Sequence, residues 1–200
     1  MHTRLTTWTN ATDIDGGIEY VRSTALAAFR EQPGYRSLSA SVDRSAGTFV
    51  VLSIWDSEAD RDASESALGK ARSGASEVIG GTVRTEKLEE LVMEIVTPPT
   101  PGSALMVTPY SMDAVKIDEN LSFFKNELVP QMKAAPGFCA VRNMVNRGTG
   151  EGYVGTMWAD RAAMDKQAEG PAASRREAAS KQGMTIGDVS LREILLVDSR

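Results

Sequence analysis

Residues 48–55, TFVVLSIW, are apolar on both sides of a period-two pattern. Phe49, Val51, Ser53 and Trp55 fall on one face, and Val50, Leu52 and Ile54 on the other. A strand apolar on both faces is expected at the centre of a sheet with both sides covered. The preceding residues, 35–42, form a second strand, joined to it by the small and polar run from Asp43 to Gly47, which suits a hairpin. Upstream, residues 5–10 (LTTWTN) predict the first strand. Asp15 is placed to cap a helix in which Ile18, Val21, Ala25, Leu26 and Phe29 recur at helical spacing, and Pro33-Gly34 stops it. Downstream, Ser57-x-x-Asp60 reads as a capping box opening a polar helix that runs to about Ser73, residues 74–86 are ambiguous, and residues 88–96 (LEELVMEIV) form a fourth strand. The order β-α-β-β-α-β is that of a ferredoxin-like split unit.

The chain then repeats itself. An ungapped shift of 103 positions matches Pro33-Gly34 with Pro136-Gly137, Arg44 with Arg147, Gly47 with Gly150, Val51 with Val154 and Trp55 with Trp158. A period of this length is too long for a solenoid repeat and suits a small domain. The expected organisation is a first unit over 1–97, a linker over 98–103 (PPTPGS), and a second unit over 104–200. In the second unit a strand covers 104–110, and Asp118 is placed to cap a helix that Pro130 should kink. A hairpin follows over 138–158, then a helix broken at Gly170-Pro171 and a closing strand over 189–198. A split unit covers one sheet face with its helices and leaves the other bare, so two units can bury bare faces together. The fold class expected is α+β, two ferredoxin-like units forming an intramolecular barrel.

Composition adds mainly exclusions. Hydrophobic residues make up 42% and charged residues 24%, an ordinary globular balance. The formal charge of -5 sits in the first half, where 10 basic face 15 acidic side chains; neither half carries the basic field that nucleic acid requires. No stretch approaches the ~20 apolar residues of a membrane span, and the N-terminal residues lack a signal-peptide core, so a cytoplasmic protein is expected. Cys139 is alone and expected to be a small buried side chain, which leaves no internal disulfide or cysteine cluster. The single histidine, His2, is expected in a mobile N-terminus, out of reach of a catalytic triad or a histidine metal site.

Trp55 and Trp158, at matched positions, are the leading candidates for chemistry. An indole at a pocket mouth stacks on a flat ligand and donates one hydrogen bond, and the same residues equally suit core anchors. Asn10 offers an amide to a carbonyl or reduced oxygen species, or forms a turn. Tyr35, Tyr110 and Phe138, with Trp8 and Tyr153, line a pocket or pack on strands. Arg142, among apolar strand neighbours, presents its guanidinium to an acidic ligand, faces the surface from its strand, or pairs with Glu193. Arg44 and Arg147 read as exposed turn residues.

The element order, the Pro-Gly-aromatic turn after the first helix, and the tryptophan ending the third strand before a polar helix resemble the antibiotic biosynthesis monooxygenase domain family of dimeric α/β barrels, here as a tandem fusion. The resemblance implies a pocket between sheet and helices. It maps pocket residues onto Asn10 and Trp55 in the first half and onto Trp158 and Tyr110 in the second. Haem-degrading relatives use a histidine on the helix after this tryptophan. Ser64-Glu65 and Gln167-Ala168 stand there instead, which argues against that chemistry. The implied function is a cofactor-independent monooxygenase acting on a small aromatic or quinol compound; the alternative is a non-catalytic or stress-associated protein that holds a hydrophobic ligand. No cofactor, metal, nucleic acid or membrane partner is expected, and the chain is expected to be a monomeric pseudo-dimer or a homo-oligomer.

Overall fold

A computed structural model describes residues 1–168 and 172–200. The expected helix break at Gly170-Pro171 therefore lies outside the described residues. The chain is α+β and divides into two compact units, one made of Met1–Lys87 and Glu193–Arg200, the other of Leu88–Arg192.

In unit 1 the strands are β1 (His2–Thr9), β2 (Tyr35–Asp43), β3 (Thr48–Trp55), the start of β4 (Thr82–Ile95) and the end of β9 (Ser190–Ser199). Their order is β4-β1-β3-β2-β9, and β3 is central, antiparallel to both β1 and β2. Its burial on both faces follows from the apolar residues on both sides of the strand. The first helical stretch is α1 (Ile14–Tyr20), a π-helical turn (Val21–Ala25) and α2 (Leu26–Arg30). Its N-cap is Asp13 rather than Asp15, because the Asp13 carboxylate accepts from the Gly16 amide; Asp15 points outward and pairs with Arg44 at 2.7 Å. Ser57 caps α3 (Glu58–Ala63) as the capping box predicts, accepting from the Asp60 amide at 3.0 Å. The ambiguous stretch resolves as the end of α4 (Glu65–Ile79), a Gly80-Gly81 turn and an early start to β4. Leu68, Ala75 and Ile79 of α4 complete a core with Trp8, Leu26 and Phe49. Each fully buried large aliphatic there contributes about 1.5–3 kcal/mol.

Unit 2 contains β5 (Ala104–Met112), β6 (Phe138–Val145), β7 (Glu151–Trp158) and a short β8 (Met184–Ile186) that the sequence pattern does not announce. The order β9-β5-β7-β6-β4 repeats that of unit 1, with β8 also beside β5. Asp113, not Asp118, begins the helical stretch, accepting from the Val115 amide; Asp118 lies within α5 (Ile117–Phe123) and pairs with Arg147. A π-helical turn, Phe124–Leu128, separates α5 from α6 (Val129–Lys133), which contains Pro130. The same π turn occurs in unit 1 at the matching positions, where Ala27 stands in place of Pro130, so the proline does not cause it. Helices α7 (Arg161–Ala168) and α8 (Ala172–Lys181) complete the unit.

His2 corrects an expectation: it lies within β1, opposite Trp55, and not in a loose terminus. Arg142 does not reach Glu193. It is buried with its Nε 2.7 Å from Glu90 Oε2, because β4 runs beside β6. Cys139 is buried. Among the described residues no helix is long and apolar enough to cross a membrane.

Candidate functional site

Strand alternation sets Arg4, Thr6 and Trp8 on one face of β1, and β3 adds Val51 and Ser53 beside them. Val21, Ala25 and Phe29 from the first helical stretch, with Leu68, Ala71, Arg72 and Ala75 from α4, stand opposite and line a small cavity of about 30 Å³ that opens to solvent. Three alanines among these helix residues leave the space that larger side chains would fill. The π turn places both Val21 and Ala25 toward it, and π turns are frequent at functional sites.

Most of the wall is apolar, with rings from Trp8 and Phe29. Trp8 packs against Phe49 with centroids 5.8 Å apart, and its Nε1 donates to Ser76 Oγ at 2.9 Å, so the indole is fixed. Arg4 supplies the polar end. It is 3% exposed, lies 5.9 Å from the Trp55 ring centroid, and donates from Nη1 to Ser64 Oγ at 3.0 Å and from Nη2 to the Arg61 carbonyl. Glu65 Oε2 is 3.1 Å from Arg4 Nη2, and Glu65 is itself held by Arg72. Burial pulls the Arg4 guanidinium below its ordinary value, with Glu65 opposing and Arg72 and Arg61 adding to the effect. Arg4 Nε has no hydrogen-bond partner. Arg61, equally buried, is neutralised by Glu58 and Asp62 at 2.8 Å each, and the Arg61 hydrogen bond draws the Asp62 carboxyl down to about 2.

Of the unit 1 residues singled out from sequence, Trp8 lines this cavity and Asn10, Tyr35 and Trp55 do not. Trp55 is fully buried with Nε1 donating to Ser53 Oγ at 3.0 Å, and it stands behind the wall rather than among the lining residues. Tyr35 packs edge-on against Trp55 and donates to Asp198 Oδ2 at 2.8 Å; burial, then that bond, pushes its hydroxyl well above the usual tyrosine range. Asn10 is exposed, with a left-handed φ of 56°, a conformation that asparagine tolerates, and does not line the cavity.

In unit 2, Trp158 repeats the indole bond, donating to Thr156 Oγ1 at 3.1 Å, and meets Phe138 edge-on at 5.6 Å. Tyr110 is buried, donating to Asn143 Oδ1 at 2.7 Å. Register shows what differs between the units: Arg4 lies opposite Ser53, and Met106 lies opposite the matching Thr156. Met106 packs on an apolar cluster with Phe124, Val141 and Trp158. Arg4, Arg72 and the alanines of α4 are not among the residues that the sequence pattern singles out. The available signal was an arginine in phase with Trp8 on a strand otherwise rich in Thr. Among the described residues no group of three or more His, Cys, Asp or Glu side chains is placed to hold a metal ion.

No family model matches the chain. Uncharacterized protein Rv2557 of Mycobacterium tuberculosis is 28% identical over 137 residues, covering 68% of this chain and 61% of that protein. Uncharacterized protein Rv2558 of the same organism is 25% identical over 133 residues, covering 66% and 56%. The chain thus spans less than two thirds of the length of these relatives. Among solved structures, an anthrone oxidase-like protein superposes with a TM-score of 0.72 at 14% identity, over 99% of this chain and 92% of that one. LmHde, a haem-degrading enzyme from Listeria monocytogenes, gives 0.54 at 8% identity over 96% and 99%. A ferredoxin-fold protein related to antibiotic biosynthesis monooxygenases, also from Listeria monocytogenes, gives 0.53 at 8% over 94% and 93%. At these identities the likeness establishes the fold alone, which is ferredoxin-like.

Proposed function

We propose that this chain is a cofactor-independent monooxygenase of the antibiotic-biosynthesis kind, working on a small aromatic or quinol compound in the cavity of unit 1. The observation that carries this reading is the cavity itself: a ring-lined, largely apolar space with one cationic end, between sheet and helices. In such a reaction the substrate supplies the electrons. A quinol and one O2 become a hydroxyquinone and water, one oxygen atom entering the product and the other leaving as water. The chain's own residues orient the ring between Trp8 and Phe29, exclude water and hold the developing anion near Arg4. Trp55 acts from behind the wall by fixing Ser53 and underlying Arg4. We read the two units as copies of one duplicated domain, of which unit 1 keeps the site and unit 2, with Met106 in place of Arg4, serves as its structural counterpart.

A second reading, a protein that holds a hydrophobic ligand without turnover, is favoured by one observation. No carboxylate or imidazole stands among the residues that line the cavity, so a proton acceptor is missing there. Oxygen uptake with a panel of quinols and anthrone-like compounds, alongside tryptophan fluorescence, separates the two. Uptake that Ala71→Phe abolishes by filling the cavity supports the enzyme. Fluorescence quenching without uptake across the panel supports the binding protein, and neither response contradicts both.

A further inference from the structure

We infer that residues 82–87 of β4 form an interface through which two copies of this chain pair edge to edge, antiparallel and about a two-fold axis at Thr85. β4 runs for 14 residues from Thr82 to Ile95, well beyond the usual length of a strand. β1 borders it on one side, and on the other its pairing with β6 begins only at Glu89. Among the described residues no strand borders 82–87 on that second side. Thr82, Val83, Arg84 and Thr85 are all exposed, so both faces of this stretch meet solvent and little side-chain packing holds it extended. A long open edge presents a row of backbone donors and acceptors that another strand can complete. In unit 2 the matching place is blunted: β8 has three residues, Met184–Ile186, and residues 187–189 separate it from β9.

The order of residues along the edge says which strand fits it. With the axis at Thr85, Thr85 faces its own copy, Arg84 faces Glu86 and Val83 faces Lys87, the last two pairs occurring twice. Threonine pairs and opposite charges directly across antiparallel strands are stabilising, and like charges there are not. Arg84 and Glu86 lie 3.0 Å apart along one strand, with Arg84 69% exposed, so in the pair each guanidinium stands between two carboxylates. An axis at Arg84 or at Glu86 would instead set like charges together, so charge fixes the register. Charges that guard an edge against pairing repel their own copy; these complement it. Alternation puts Val83 and Lys87 on the other face, where Lys87 is held to Asp62 at 3.0 Å and offers its methylene stem to cover a valine that is 42% exposed. A six-residue edge is small, which suits a pair that dissociates on dilution. None of 82–87 lines the cavity of unit 1, so this pairing and the ligand reading stand or fall separately.

The test is sedimentation velocity of the whole chain across protein concentration, with amide hydrogen exchange read in parallel. The expected result is a reversible monomer–dimer equilibrium that salt weakens, with the exchange that slows at high concentration concentrated in residues 82–87. Arg84→Glu sets like charges opposite one another twice and should weaken the dimer about tenfold. Glu86→Arg should do the same, and the two substitutions together should restore affinity to within about threefold of the unmodified protein. Arg84 is largely in solvent, so the comparison of the unmodified protein with Arg84→Glu stands even where Glu86→Arg does not fold. A monomer at every concentration, the outcome if the edge takes a strand of some other protein, overturns the inference. So does a dimer indifferent to Arg84→Glu, a folded double variant that pairs no better than the single ones, or slowed exchange that leaves 82–87 unchanged.

Discussion

Trp55 has no solvent exposure and keeps its indole nitrogen bonded to Ser53, and Trp158 does the same with Thr156. Both side chains are thereby anchored in their cores. Trp55→Ala should cost about 3–5 kcal/mol in denaturant unfolding, and Trp158→Ala a similar amount, through the cavity each leaves. Ala71→Phe should behave oppositely, abolishing ligand binding while shifting the unfolding midpoint far less, because its ring enters space that is already empty. The matched tryptophans were legible in the sequence because a strong pattern repeats. Arg4 was not, because the groups that hold it, Arg61, Ser64 and Glu65, are about sixty positions away and nothing local announces them.

Among elements, those with local signals were the legible ones. The alternation of β3, the capping box at Ser57 and the Pro-Gly turns each fix a boundary through contacts a few residues apart. The early start of β4 and the short β8 depend on pairing with distant strands, and Asp13 and Asp15 compete for one cap on equal local terms. Turn chemistry gives a sharp check. Gly150 closes the β6–β7 hairpin at φ 73°, and a Cβ there would meet the Met112 carbonyl oxygen at 2.0 Å. Gly150→Ala should therefore destabilise by about 1–3 kcal/mol from backbone strain alone, and thermal unfolding should show it.

At the scale of the molecule, the α+β class was readable from element order, while the cavity side of unit 1 was not, since it depends on which residues the helices leave small. The end of β9 is tied to unit 1 by Asp198, which is 8% exposed and accepts from Arg30 and from Tyr35. The Arg30 hydrogen bond, ahead of that from Tyr35, holds the Asp198 carboxyl below its ordinary value. A group depressed in the folded state stabilises above its unfolded value of about 3.9 and loses that contribution as pH falls through the lower folded value. Asp198→Asn should thus lower stability at neutral pH and flatten its fall below about pH 4, measured by unfolding midpoints across pH.

The central claim, that the cavity of unit 1 is where this chain meets its ligand, is tested most directly by a crystal structure of the protein soaked anaerobically with 4-nitrophenol. Density for the ring between Trp8 and Phe29 is the result predicted. An empty cavity at saturating ligand, or a ring bound elsewhere, would contradict it.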